Sequence, residues 1–142
     1  MMNIGRAAQA SGVSAKMIRH YEGIGLIRPG ARTTAGYRTY TDNDVHTLRF
    51  IRRARTLGFP LERIRDLLSL WQDDRRASAD VKAIALQHVD ELERRIAELT
   101  AMRDTIAHLA HCCHGDAKPD CPILQDLAAV AETAGARPGK RR

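Results

Sequence analysis

From Ser78 to Cys113 the chain runs for 36 residues without a proline or a glycine. No other feature limits the fold so strongly. With no residue to break it, the stretch reads as one helix, which at 1.5 Å per residue would reach on the order of 50 Å. Its apolar residues make a narrow stripe: Val89, Leu92, Ile96 and Leu99, then, after a change of phase, Met102, Ile106, Leu109 and Cys113. Steps of three and four residues beside the charged run "ELERR" are the pattern of a coiled-coil seam. Such a helix outruns any small domain in the same chain, so the spacing predicts a homodimer seam rather than a helix folded back on itself. Heptad spacing alone leaves the orientation of the two helices open.

The remainder is basic and helical. Aromatic residues are only 4% of the 142, which suits helices packed on helices better than a sheet-rich core. The net charge of +6 is uneven: residues 1–60 hold ten Lys/Arg against three Asp/Glu, and residues 61–142 hold thirteen against fourteen. Either the first part meets a polyanion or it carries an ordinary solvated basic face. No stretch approaches the roughly 18 apolar residues of a membrane span, and the N-terminus lacks the apolar run of a signal peptide. Three cysteines, two of them adjacent, make a poor disulfide framework. They point to reduced thiols in the cytoplasm, away from membranes.

The opening "NIGRAAQASGVSAKMIRHYEGIGLI" has helix-turn-helix spacing. Ile4, Ala7 and Ala8 form the inner face of a first helix, and Gly12 falls at a tight turn that needs positive φ. Ser14 caps the second helix, with Val13 packing from outside it. Met17, Ile18 and Tyr21 are expected to face inward and Lys16, Arg19 and His20 outward, where groove and phosphate contacts are made. "RPGARTTAGYRTYT" then reads as a β-hairpin around Ala35-Gly36, bearing Arg32, Tyr37 and Arg38. Thr41 and Asp44 resemble a capping box. The helix they open spaces Val45, Leu48, Ile51 and Leu57 helically among Arg49, Arg52, Arg53 and Arg55, most of them a solvated face, with one or two left to reach phosphate. Pro60 restarts a helix that packs Ile64, Leu67, Leu68 and Trp71.

All three cysteines lie in "HCCHGDAKPDCP". Cys113 and Cys121 flank a short loop, and Pro122 can open another helix over residues 122–133. Two thiolates facing across such a loop suit a soft cation of low coordination number: Cu(I), Ag(I) or Au(I). Backbone N–H groups at the start of the following helix would offset the residual negative charge. Zinc is the rival, because His111, Cys112, His114 and the outer cysteines could together supply four ligands.

Taken in order, "IGRAAQASGVSAKMIRHYEGIGLI", "GYRTYT" and "LGFPLERIRDLL" resemble the MerR family of bacterial transcription regulators, over roughly the first 125 residues. The resemblance implies a mainly α fold: a winged helix-turn-helix domain over 1–75, a dimerisation helix over 76–113 in an antiparallel coiled coil, and a metal-binding loop and short helix over 114–134; beyond it, "GARPGKRR" makes 135–142 read as a disordered basic tail. It implies that Lys16, Arg19, Tyr21, Arg32, Tyr37, Arg38 and Arg55 contact double-stranded promoter DNA. "CHGDAKPDCPIL" resembles the loop of the copper-efflux regulators of the CueR/HmrR type, which implies Cys113 and Cys121 as the Cu(I) ligands. Relatives that sense divalent zinc or mercury carry a further cysteine near the start of the dimer helix, where this chain has Ser78. The implied action is to distort an overlong promoter so that RNA polymerase can engage it, switching on copper-export or detoxification genes. A response to Zn(II) or another divalent ion, or a structural zinc site, is the alternative. No Cys-x-x-Cys on a βαβ unit and no nucleophile–base arrangement is present, so the sequence predicts no enzyme.

Overall fold

A computed structural model of the chain describes residues 1–115, 119 and 121–129. The elements are α1 (Ile4–Ser11), α2 (Ala15–Gly23), β1 (Ala31–Arg32), β2 (Arg38–Thr39), α3 (Asp42–Thr56), α4 (Leu61–Trp71), α5 (Ser78–Cys112) and α6 (Pro122–Ala128). This is the mainly helical architecture, with a small two-stranded wing and one long helix, that the sequence predicts. The chain divides into two compact units, Met1–His88 and Val89–Arg142.

In the first unit, local chemistry sets each boundary. Asn3 accepts from the Arg6 amide to open α1, and Gly12 ends it in the left-handed region at φ 78°. Ser14 accepts from the Met17 amide and starts α2. Thr41 and Asp44 form a reciprocal capping box at the head of α3. The core gathers Ala7, Val13, Ile18, Tyr21, Leu26, Tyr40, Val45, Leu48, Ile51, Ala54, Ile64 and Leu68. Each large aliphatic side chain fully withdrawn from water there contributes about 1.5–3 kcal/mol.

Three residues expected in that core stand outside it. Met17 is exposed because the inward face of α2 is Ile18, Tyr21 and Glu22, and Glu22 takes the last inner place. Trp71 closes α4 and is 41% exposed; its ring lies flat on Phe50, with centroids 4.5 Å apart, where Ile64 and Leu68 have already filled the interior. Leu57 falls past the end of α3 and is also exposed, so its backbone rather than its side chain is used.

The wing is short. Ala31 pairs with Thr39 and Arg32 with Arg38, antiparallel, and Met2 and Tyr40 exchange backbone hydrogen bonds of 2.9 and 2.7 Å beside them. Gly30 is required here: a Cβ at that position would stand 2.3 Å from the Thr39 carbonyl oxygen.

The second unit holds the rest of α5 and then α6, which Pro122 opens at its first turn. Along α5, Val89, Ile96, Leu99, Met102 and Ile106 are exposed. These are stripe residues of the expected seam. Residues 116–118 and 120 of the expected loop, the helix beyond Ala129 and the basic tail lie outside the described residues.

Candidate nucleic-acid interface and metal centre

Lys16, Arg19 and His20 are exposed on α2, the second helix of the helix-turn-helix. Arg32 lies on β1, Tyr37 in the turn and Arg38 on β2. The fold brings four of the seven predicted DNA contacts into one cleft between α2 and the wing, lined by Arg19, Arg32, Tyr37 and Arg38 with Asn3, Ile4 and Tyr40. Two more meet elsewhere: Tyr21 and Arg55 line a second cleft with Gly12, Val13, Ser14, Met17 and Arg52. Lys16 lines neither of these clefts.

These residues are not equally free. Tyr37 is 73% exposed and available to a ligand, whereas Tyr21 is 5% exposed and belongs mainly to the core. Arg32 donates to the Gly36 carbonyl at 2.7 Å, stiffening the wing from within. Arg38 forms an ion pair with Glu22 at 3.1 Å.

Glu22 escaped the sequence reading and organises this region. It is buried on α2, and its carboxylate accepts from the Gly30 amide at 3.0 Å and from the Tyr40 hydroxyl at 3.1 Å. Burial, first, and then the hydrogen bond and negative charge of Glu22 push the Tyr40 phenol up to about 12. The positions of Ile18 and Glu22, one turn apart on the inner face, were the signal that could have revealed it.

Two arginines of the basic run are also committed internally. Arg49 donates twice to the Ala10 carbonyl, at 3.0 and 2.8 Å, and Arg65 donates to the carbonyls of Gly25 and Ile24 at 3.1 and 3.0 Å. Both satisfy carbonyls at or just past helix C-termini, where cations are favoured. The positive charge offered to DNA is therefore narrower than the count of arginines suggests.

The second unit carries the cysteines. Cys113 and Cys121 are half-buried, unbridged, and their sulfurs stand 4.0 Å apart. The Leu124 amide, at the start of α6, holds the Cys121 thiol below its ordinary pKa; partial burial opposes this, and the Ile123 amide and the Cys113 thiol add to it. Cys121 is the N-cap residue of α6, without a closed side-chain capping hydrogen bond. At a metal–sulfur bond of about 2.3 Å, two sulfurs in a tetrahedral site would be about 3.8 Å apart and a linear pair about 4.6 Å. A linear site therefore needs the pair to open by about 0.6 Å from its 4.0 Å separation. Cys112 is exposed on the last turn of α5 and lies beside His108 instead, and His111 and His114 are exposed.

A capped helix-turn-helix with a basic outer face, flanked by a two-stranded wing and followed by a long helix, defines a winged helix-turn-helix DNA-binding protein. Residues 2–71 match the MerR HTH family of regulatory proteins, and residues 45–109 match the MerR DNA-binding region. The chain belongs to the MerR family of transcription regulators, which are DNA-binding proteins and not enzymes. It is 64% identical over 127 residues to the HTH-type transcriptional regulator HmrR of Sinorhizobium medicae, spanning 89% of this chain and 86% of that one. To the regulator CueR of Salmonella typhimurium it is 44% identical over 137 residues, spanning 96% and 99%. Among solved structures, the transcription regulator PbrR691 from Ralstonia metallidurans in complex with lead(II) superposes with a TM-score of 0.80 at 29% identity, covering 90% of this chain and all of that one.

Proposed function

We propose that this chain is a cytoplasmic, homodimeric, Cu(I)-responsive activator of copper-export or detoxification promoters. The carrying observation is the Cys113–Cys121 pair: two unbridged thiols 4.0 Å apart, with Cys121 at the head of α6, where the Leu124 and Ile123 amides hold its thiol below the ordinary pKa. Two thiolates saturate a monovalent d10 ion, and the amides of α6 oppose the negative charge that results. Ser78 at the start of α5 supplies no third thiolate. The likeness to HmrR and CueR, the type whose loop this one resembles, agrees with that reading.

Activation works as a population shift. The dimer has two arrangements, and the ion binds one of them more tightly; that arrangement favours promoter DNA that is bent and undertwisted, which aligns it for RNA polymerase. A complete switch needs a preference of about 10⁴-fold between the arrangements. Lys16, Arg19, Tyr21, Arg32, Tyr37, Arg38 and Arg55 hold the operator in both. Transcription in vitro from the cognate promoter tests this. Cys113→Ser and Cys121→Ser should abolish induction by Cu(I) while operator affinity stays within about twofold; loss of DNA binding instead would make the pair a structural staple.

One observation favours a second reading. The sulfur separation is nearer the tetrahedral value than the linear one, and the structural relative PbrR691 was solved with a divalent ion, lead(II). A divalent effector would need ligands beyond the two thiolates, and induction by Zn(II) or Pb(II) but not by Cu(I) would establish it.

A further inference from the structure

We propose that His108 and Cys112 form a second binding site for a thiophilic monovalent cation, on the exposed surface of α5 and separate from the Cys113–Cys121 pair. Cys112 Sγ lies 3.7 Å from His108 Nε2, and both side chains are exposed. They are four residues apart on one continuous helix, so one stands above the other. That spacing on a helix face is the one by which two imidazoles grip zinc in helical metal motifs.

The distance fits an ion. With metal–sulfur and metal–nitrogen bonds of about 2.3 and 2.0 Å, donors 3.7 Å apart subtend an angle of about 120°. Small side-chain rotations open it toward linear. No group of three or more metal-binding side chains is present among the described residues, so a divalent ion wanting four ligands would depend on water. A monovalent d10 ion needs only the two donors.

Charge explains why such a site can sit in the open. When the ion binds, Cys112 loses its thiol proton to solvent, and the neutral imidazole adds no charge, so thiolate and cation cancel. The complex needs no enclosing dipoles, unlike a bis-thiolate centre, which retains a net negative charge. Cys112 cannot serve the inner pair at the same time. Cys112 is the last residue of α5, and its side chain is exposed beside His108; Cys113 lies just past the helix, and its half-buried sulfur is the one that meets Cys121. Exposure and the lack of enclosure make the outer site the weaker of the two.

The test is an anaerobic titration of the full-length reduced protein with Ag(I), a redox-inert probe, against a graded thiol competitor. Wild-type protein should take up two equivalents per chain with unequal affinity. His108→Ala and Cys112→Ser should each lose the weaker equivalent and keep the tighter. Cys113→Ser should lose the tighter and keep the weaker, which separates failure of this inference from failure of the sensor reading. Circular dichroism should show α5 intact in all three variants. One equivalent in the wild type, or a second that survives both His108→Ala and Cys112→Ser, overturns the proposal.

Discussion

The Tyr40 hydroxyl donates to the buried carboxylate of Glu22 at 3.1 Å, joining the last residue of the wing to the second helix of the helix-turn-helix. The same carboxylate takes the Gly30 amide and the Arg38 guanidinium. One acid thus sets the angle between two elements that would both lie on DNA.

Replacing Glu22 by Ala leaves a buried hydroxyl and a backbone amide without an acceptor. The expected loss is about 2–3 kcal/mol of stability, against about 1 kcal/mol for Tyr40→Phe, which takes one donor from the carboxylate but leaves it the Gly30 amide and Arg38. Urea denaturation of both variants measures the difference. Equal, small losses would mean that the backbone pairing of the wing suffices without the acid.

The raised Tyr40 pKa gives a pH dependence of definite sign. The folded chain holds this phenol proton more tightly than an unfolded one, in which tyrosine titrates near 10.0. Stability from this site is therefore complete below that value and is lost as pH rises toward about 12. One tyrosine should ionise late in an ultraviolet titration, and its ionisation should coincide with a falling melting temperature. The late-ionising signal should vanish in Tyr40→Phe.

Basic side chains of the first half should sort into two kinds. Arg19→Ala and Lys16→Ala, both at exposed positions on α2, should weaken operator binding and lower its salt slope by about one each, with little effect on stability. Arg49→Ala should instead lower stability by about 1–2 kcal/mol, because it strips two hydrogen bonds from the Ala10 carbonyl at the end of α1. Binding isotherms at several salt concentrations, paired with denaturation curves, separate the kinds.

The sequence carried most of the fold because its signals were local. Gly12, Ser14, the Thr41–Asp44 box and Pro122 each act within a turn of where they stand, and the 36-residue stretch without a breaker announced α5. The misplacements of Met17 and Trp71 arose where two faces of a helix compete for one interior, which spacing alone does not arbitrate. What stayed hidden was long-range polar pairing. Glu22 with Arg38, Arg49 with Ala10 and Arg65 with Gly25 join residues sixteen to forty apart, and an arginine aimed at a carbonyl looks the same in sequence as one aimed at phosphate. The cysteine pair was legible as soft-ligand chemistry, but the contact between Cys112 and His108 needed the helix to be built.

His88 illustrates the same limit and yields a further prediction. It is buried, its ring stacks on Phe59 with centroids 4.0 Å apart, and Nε2 lies 2.8 Å from the Leu57 carbonyl oxygen. A carbonyl only accepts, so the contact fixes the proton on Nε2, while Nδ1 is buried without a partner. His88→Ala should cost about 2–4 kcal/mol, since it removes both stack and hydrogen bond. His88→Phe should recover the stacking share and leave a deficit of about 1 kcal/mol, read by thermal denaturation.

The most direct test of the sensor is an anaerobic titration of reduced protein with Cu(I) and, separately, Zn(II), each against a competing chelator. The account predicts that the tightest equivalent per chain is Cu(I), lost in Cys113→Ser and in Cys121→Ser and kept in Cys112→Ser. Tighter retention of Zn(II), weakened by Cys112→Ser or His114→Ala, would contradict it and make the centre a divalent or structural one.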